Sequence, residues 1–356
     1  MSALPLSPVA AIGELGPGVR TAATPGSVAW VAAAVRRRWA AALLSLVCAW
    51  SGVWLAVWLL VAGTVAGALL SAIGNAAGSA LLGGGGPSPG SGALSVAAGA
   101  LQGAAGGLAS SVAGVVGDEP LQFLAALGGG LLTALVMLAA GVALEPWLLR
   151  LRGCRRPSRR EALRLMPLLE GAAAATGLRA LPVVLVADRD NLRVRAHTRH
   201  LVVGRGLIEE IGEGPAADSA LAAVLAHGLH HWAAGDGVGA LWLRCCGLPL
   251  VLVYDAGCRL AQQGNSLIAL AGWLVLWPAW LLVRLVIQPV VALGSRRQEY
   301  AADAAVAAAG QGEALHRALS LLGELEPGRS GWDRVIAATH PPVELRLEAL
   351  EPGPEA

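Results

Sequence analysis

This sequence has no lysine, few charged residues and few aromatic ones. All 26 basic residues are arginine, charged residues make up 14% of the 356 positions, and aromatic residues make up 4%. Hydrophobic residues account for 55%, and this combination is too apolar for an ordinary soluble domain. The composition therefore favours a membrane protein.

Cysteine is also scarce. The five cysteines form no CxxC pair and lie mostly in or beside apolar stretches: Cys48, Cys154, Cys245, Cys246 and Cys258. This spacing argues against a disulfide framework and against a zinc site made of thiolates. We predict that the cysteines are small core residues.

The N-terminal segment is rich in Pro, Ala and Gly and contains no compact apolar run in its first 35 residues. A secretory signal needs such a run, so none is expected here. We predict that residues 1–38 form a flexible N-terminal tail that the protein retains.

Two long uncharged runs predict membrane-spanning helices. No charged residue occurs from Trp39 to Gly117, and the part from about Trp39 to Leu70 exceeds the roughly 20 residues that cross a hydrocarbon core as a helix. A second run extends from Pro120 to Leu144. Residues 71–119 between them include a Gly/Ala/Ser-rich stretch and favour a flexible loop. Residues 39–149 are therefore predicted to form a transmembrane hairpin.

Arginines flank both predicted spans. Arg36, Arg37 and Arg38 precede the first, and seven arginines between Arg150 and Arg164 follow the second. Arginine in short flanking segments marks the cytoplasmic side, so both flanks are expected there. The same clusters could bind nucleic acid, but they lie beside membrane spans and lack interleaved aromatic residues. We predict membrane lipid, and no nucleic acid, as a partner.

The pattern changes to that of an α+β domain after Arg164. An amphipathic helix is predicted to reach Ala175, and two short strands are expected at Leu181–Val186 and about His200–Val203. A further helix starts at about Asp218 and ends near Gly235. We also expect His200–Gly204 to be an edge strand that pairs with an extended peptide substrate.

Two further apolar runs, Leu241–Tyr254 and Leu267–Leu293, follow this helix. They could form two spans, or one span and one membrane-embedded helix, and the sequence leaves both alternatives open. Residues 150–350 are accordingly assigned to one domain with one or two membrane segments at about 241–293. Residues 351–356 are a short C-terminal tail.

His227 and His231 lie four residues apart on the predicted helix. Four residues rotate a helix by about 400°, so the two imidazoles lie about 40° apart on one face. Two zinc ligands one turn apart require this arrangement. The spacing alone is a weak signal, because two histidines on any exposed helix can have it.

A second polar segment, Ser295–Asp303, follows the last apolar run. Its Glu299 offers the carboxylate that completes a two-His, one-Glu ligand set, and Asp303 lies one helical turn later, where it could accept a hydrogen bond from a ligating histidine. Alternatively, these two acidic side chains pair with Arg296 and Arg297 on a solvated helix face.

A third segment reads Thr339-His340-Pro341-Pro342 and is followed by Arg346. A histidine on an irregular turn before two prolines can direct a donor at a tetrahedral intermediate. It can equally mark the entry to a helix. By itself this segment does not distinguish the two.

Together, the three ordered segments resemble the HtpX-like membrane zinc metallopeptidases, relatives of the CAAX prenyl proteases and of the Oma-type peptidases. The match covers about residues 165–350. It implies an α-helical membrane protein with an α+β zincin-like, or gluzincin, catalytic domain. It also implies a bacterial cell-membrane location, a cytoplasmic active site, and membrane or misfolded proteins as substrates.

The resemblance also implies roles for individual residues. One zinc ion per chain would be held by His227, His231 and Glu299. Asp303 would support a ligating histidine, and His340 and Arg346 would stabilise the transition state or the structure. Protein or peptide substrates are expected, and the oligomeric state is left open.

The sequence departs from the family pattern at one catalytic position. The family has glutamate directly after the first histidine, and this chain has Gly228. That glutamate acts as the general base, and losing a general base costs roughly 10²- to 10⁴-fold in rate. The expected function is therefore a zinc endopeptidase with impaired activity. The alternatives are a zinc-binding pseudopeptidase that binds partners without cleavage, and a non-enzymatic membrane scaffold.

Overall fold

A computed structural model describes most of the chain: residues 24–25, 27–51, 124–188, 192–263, 270, 277, 281–325 and 340–351. Several predicted features fall outside these residues. They are most of the N-terminal tail, the first span beyond Ser51, the Gly-rich loop at 71–119, much of the second apolar run after the histidine helix, Thr339, and residues 352–356.

The chain divides into two compact units. One unit comprises Met1–Leu44, Ala134–Cys245 and Arg284–Ala356, and the other comprises Ser45–Thr133 and Cys246–Val283. The predicted metal ligands all belong to the first unit.

The described chain begins with helices where the sequence predicted a tail and a span. Helix α1 covers Val28–Arg37 and is capped by the Ser27 hydroxyl, which accepts a hydrogen bond from the Trp30 amide. The prediction of a flexible tail up to residue 38 is therefore wrong over Val28–Arg37, because Trp30 and Ala34 give this short helix a buried face. Helix α2 follows at Trp39–Ser51.

Helix α3, Leu124–Leu151, is the one single helix among the described residues that is long and apolar enough to cross a membrane. It extends beyond the predicted run Pro120–Leu144 by about two turns at its C-terminal end. Large apolar side chains remain exposed along it, including Leu132 at 64% and Val136 at 59%.

Four short strands form one mixed sheet with the order β1-β2-β4-β3. The strands are β1, Cys154–Arg155; β2, Val183–Ala187; β3, Val194–Ala196; and β4, His200–Gly204. Strands β2 and β4 are parallel, and β1 and β3 pair antiparallel at the two edges. The strands β2 and β4 were predicted, whereas β1 and β3 are too short to give a two-residue alternation over several residues.

Strand β4 is a central strand, which corrects the prediction that His200–Gly204 is a substrate-binding edge. Its two sides are already hydrogen-bonded to β2 and β3. An extended peptide pairs with a free sheet edge, so β4 is not available for it.

Helices pack on one face of the sheet and form the core of the α+β region. Helix α4, Arg159–Ala175, begins with a capping box in which Ser158 and Glu161 satisfy each other's backbone amides. The short helix α5, Arg205–Ile211, leads from β4 into helix α6, Pro215–Ala234. Buried side chains from α4, α6 and the sheet form one cluster that includes Leu165, Val186, Leu201 and Leu225.

Helix α7, Asp236–Gln263, follows α6 after a bend. The two helical segments Pro215–Ala234 and Asp236–Leu252 meet at a bend of 57°. Together they are long and apolar enough to form a broken span or a re-entrant segment. Helices α8, Gln288–Val306; α9, Gly312–Leu325; and α10, Val343–Leu350 complete the described chain.

Candidate metal centre

Helix α6 carries the two histidines, and its ends are set by local sequence. Pro215 stands in the first turn, where its missing amide hydrogen costs nothing. Gly235 ends the helix in the left-handed region with φ of 73°, a conformation that glycine adopts without strain. The helix begins three residues before the predicted Asp218 and ends as predicted.

The three predicted ligands converge on one point. The Nε2 atoms of His227 and His231 are 3.0 Å apart, and each lies 3.4 Å from a carboxylate oxygen of Glu299. Ligand atoms at roughly 2.0–2.1 Å from a tetrahedral zinc ion lie about 3.3 Å from one another. The observed separations therefore fit one zinc ion, and the donor set of two imidazoles and one carboxylate fits its chemistry.

Each histidine has a carboxylate beside its other ring nitrogen. Nδ1 of His231 is 2.7 Å from Oδ2 of Asp236, and Nδ1 of His227 is 2.9 Å from Oδ1 of Asp303. A carboxylate at Nδ1 favours the tautomer whose Nε2 lone pair is free to bind a metal. Both rings are thus oriented with Nε2 toward Glu299.

Arg346 neutralises the buried acidic side chains behind the ligands. Its guanidinium donates two hydrogen bonds of 2.7 Å to Asp303 and lies 3.2 Å from Glu299. Burial favours the neutral form of Asp303, but the contacts with His227 and Arg346 outweigh burial and lower its pKa. Asp303 therefore pairs with Arg346, and not with Arg297 as the solvated-face alternative proposed.

Glu299 is also held in its ionised form. It is 6% exposed, and burial alone would raise its pKa. The close contacts with the His227, His231 and His340 rings outweigh burial and hold the pKa of Glu299 well below its usual range. An ionised carboxylate is the form that binds a metal.

His340 lies at the rim of the cluster. Its Nδ1 atom is 2.9 Å from Oε1 of Glu299, and 41% of its side chain is exposed. It begins the turn that leads through two prolines into α10, and α10 carries Arg346. The third sequence segment is thus brought to the same place as the first two.

Gly228 lies against strand β3. A Cβ atom built at this position would be 2.5 Å from Cγ1 of Val194 and 3.4 Å from Cδ1 of Leu201. A real Cβ atom does not approach another carbon to 2.5 Å, so any larger residue at position 228 requires Val194 to move. The glycine therefore permits the close approach of α6 and β3.

The sequence predictions for this site missed three residues. Asp236 and Gln298 belong to its hydrogen-bond network, and Val194 fills the space beside Gly228. Asp236 could have been identified as an acidic residue directly after the helix of His231. No sequence signal indicated Val194, because its contact with α6 depends on the antiparallel pairing of β3.

Comparison with known proteins gives a family match and a structural similarity. A family model described as "Peptidase family M48" matches residues 159–352. The crystal structure of S. mikatae Ste24p is similar to this chain at 19% sequence identity and a TM-score of 0.42, over 61% of this chain. The chain covers 56% of the length of that protein. No curated protein matches.

Proposed function

We propose, from the premise that this chain belongs to peptidase family M48, that it is a membrane-anchored zinc protein of the HtpX type with impaired peptidase activity. Family membership places the chain among the metalloprotease hydrolases. The observation that carries the proposal is the convergence of His227, His231 and Glu299 within 4.8 Å of one another. Membrane or misfolded proteins are the proposed substrates.

The residues of the site would have different roles. His227, His231 and Glu299 would hold the ion. Asp236 would keep His231 in the required tautomer, and the Asp303 carboxylate lies 2.9 Å from Nδ1 of His227. When bound, zinc supplies Lewis-acid chemistry that polarises a peptide carbonyl and the attacking water. His340 would donate a hydrogen bond to the oxyanion that develops from that carbonyl.

Proton transfer is the step for which the described residues of the site offer no unengaged carboxylate. The attacking water must lose a proton, and the leaving amine must gain one. Gly228 has no side chain to do this, and the carboxylates of Glu299, Asp303 and Asp236 are already engaged with histidines. Loss of a general base lowers the rate by roughly 10²- to 10⁴-fold.

A second candidate function is a pseudopeptidase that binds zinc and protein partners without cleaving them. The packing of Val194 favours it over a recent loss of the glutamate. A single Glu-to-Gly change would leave a void beside position 228, whereas Val194 fills this space. The close approach of β3 and α6 therefore supports a site that is adapted to glycine.

Helix α3 supports the proposed membrane anchor. Only 17% of its most apolar 18-residue window is buried inside the protein, although a core helix of a soluble protein is mostly buried. Arg150 lies in its last turn and Arg152 follows its C-terminal end. We propose that α3 crosses a bacterial cell membrane and that the metal centre faces the cytoplasm.

The test is cleavage of casein by the detergent-purified chain and by three variants, with and without a chelator. The variants are Val194→Ala, Gly228→Glu, and Gly228→Glu combined with Val194→Ala. We expect about one zinc ion per wild-type chain and turnover that is roughly 10²- to 10⁴-fold slower than that of a form with a general base. The double variant should cut casein in a chelator-sensitive way, because it has both the base and the space for it.

The single variants show whether the lost activity is due to the missing base at position 228, to the space that Val194 fills, or to both. Val194→Ala alone should stay inactive, and Gly228→Glu alone should be less active and less stable than the double variant. Chelator-sensitive cleavage by the wild-type chain at the rate of the double variant would show that another group acts as the base. Absence of zinc from the wild-type chain would contradict the metal centre itself.

A further inference from the structure

Arg38 differs from the two arginines before it. Arg36 and Arg37 are exposed, whereas Arg38, at the junction of α1 and α2, is 9% exposed. Burying a guanidinium is costly unless its hydrogen bonds are satisfied. A charge that acts only as a topology signal does not need to be buried. The position of Arg38 therefore requires another explanation.

Two glycines provide the space for the Arg38 side chain. A Cβ atom at Gly239 of α7 would lie 3.0 Å from Cγ of Arg38, and a Cβ atom at Gly294 of α8 would overlap its guanidinium. The side chain thus runs between α7 and α8 through a passage that any larger residue at these two positions would obstruct.

The Arg38 guanidinium is the first member of a chain of hydrogen bonds that leads to His231, a predicted zinc ligand. Nη2 of Arg38 donates to Oε1 of Gln298, and Nε2 of Gln298 donates to Oδ1 of Asp236. The other oxygen of Asp236 lies 2.7 Å from Nδ1 of His231. Because Arg38 can only donate, it fixes the amide of Gln298 with its oxygen toward Arg38 and its NH₂ group toward Asp236.

Helix α1 is anchored to the same end of α6, which holds Arg38 in place. Nε1 of Trp30 donates a 2.8 Å hydrogen bond to the carbonyl oxygen of Ala233, and Arg37 donates to the carbonyl oxygen of Ala234. These are carbonyls in the last turn of α6, which have no partner within the helix. Gly235 brings the chain close to Trp30 and Ala34.

We propose that Arg38 is a positioning residue of the metal centre, which acts through Gln298 and Asp236 to orient His231. This inference rests on the proposed zinc site. Its physical basis is that Asp236 can rotate unless both of its oxygens are held. Arg38 and Gln298 hold one oxygen, so that the other stays aligned with Nδ1 of His231 and keeps its Nε2 toward the ion.

The experiment measures zinc affinity and the visible spectrum of the Co²⁺-substituted protein for the full chain in detergent. The variant Arg38→Met removes the donor and keeps an unbranched apolar stem between α7 and α8. The matched control is Arg36→Met, which removes the same charge from the same arginine triplet at an exposed position. Gln298→Met interrupts the hydrogen-bond chain at its second member without touching Arg38.

We expect Arg38→Met and Gln298→Met each to weaken zinc binding by about tenfold or more and to change the Co²⁺ spectrum, as loss of a group that orients a ligand does. Arg36→Met should do neither. Because both residues act in one chain, the double variant should be no weaker than the weaker single variant. If Arg38→Met does not fold, Gln298→Met carries the same expectation.

Two results would overturn the inference and leave the proposed function standing. Zinc affinity and Co²⁺ spectrum like those of the wild type in Arg38→Met or Gln298→Met would show that Arg38 only packs between the helices. Additive losses in the double variant would show that the two residues act separately. Failure of the wild-type chain to bind zinc would overturn the proposed function as well, so the two failures are distinguishable.

Discussion

At the scale of single residues, the site depends on pairs of groups that lie far apart in the sequence. Arg346 is buried only because Asp303 and Glu299 compensate its charge. Burial would lower the pKa of Arg346, but the hydrogen bonds with Asp303 raise it above its ordinary value. The guanidinium and both carboxylates therefore remain ionised together, and removing one leaves an unpaired buried charge.

The contact between Gly228 and Val194 predicts that Gly228→Ala changes the free energy of unfolding in opposite directions in the wild-type chain and in the Val194→Ala variant. Alanine is more stable than glycine in the middle of a helix by about 1 kcal/mol. In the wild-type chain, Gly228→Ala should nevertheless lower the free energy of unfolding, because the new methyl group meets Val194 and overpacking costs roughly 1–3 kcal/mol.

In the Val194→Ala background the same change should raise the free energy of unfolding. Denaturant unfolding of the four proteins in detergent measures this coupling as a double-mutant cycle. An effect of the same sign in both backgrounds would mean that Val194 does not restrict position 228.

At the scale of elements, helix α4 shows how a terminus is stabilised by charge. Arg155 donates hydrogen bonds to both oxygens of Glu161, and Glu161 accepts from the Ser158 amide as part of the capping box. The hydrogen bonds from Arg155 lower the pKa of Glu161 from 4.5 to about 2. The ionised form of Glu161 is therefore favoured more strongly in the folded chain than in the unfolded chain, and this difference stabilises the folded chain.

This shift predicts the pH dependence of a substitution. Because the folded pKa is below the unfolded one, the contribution of Glu161 is complete above about pH 4.5 and is lost as the pH falls through about 2. Glu161→Gln should destabilise the chain by about 1 kcal/mol at pH 7, and the difference from the wild type should shrink toward pH 3. Thermal unfolding at both pH values measures it. Glu170→Gln, at an exposed position of the same helix, should have no such effect.

At the scale of the whole molecule, the exposed apolar surface of α3 and the arginines after it predict an integral membrane protein with a defined orientation. The chain should stay in the membrane pellet after alkaline carbonate treatment. A cysteine introduced by Arg160→Cys, where 86% of the native side chain is exposed, should react with an impermeant thiol reagent in opened cells and not in intact ones. The wild-type chain controls for its own cysteines. Labelling in intact cells would reverse the proposed orientation.

Much of the fold follows from local patterns. Strands β2 and β4 were predicted from runs of β-branched and apolar residues, and the end of α6 from Gly235. The helix α1 was not predicted, because its stability comes from the burial of Trp30 against α6 and not from its ten residues alone. The central position of β4 was missed for a similar reason. It depends on β3, a strand of three residues whose pairing is a tertiary contact.

The sequence by itself predicted the membrane character, the candidate ligand set of His227, His231 and Glu299, and glycine at position 228, where the resembled family has the general base. These features depend on composition and on residue types at fixed spacing. The period of the helix places residues four positions apart on the same face. Only the tertiary structure decided that Val194 fills the place beside Gly228, that Arg346 pairs with Asp303, and that Arg38 donates a hydrogen bond to Gln298. Each of these contacts joins residues from different elements. Tertiary packing brings these elements together, and it cannot be predicted from the local sequence.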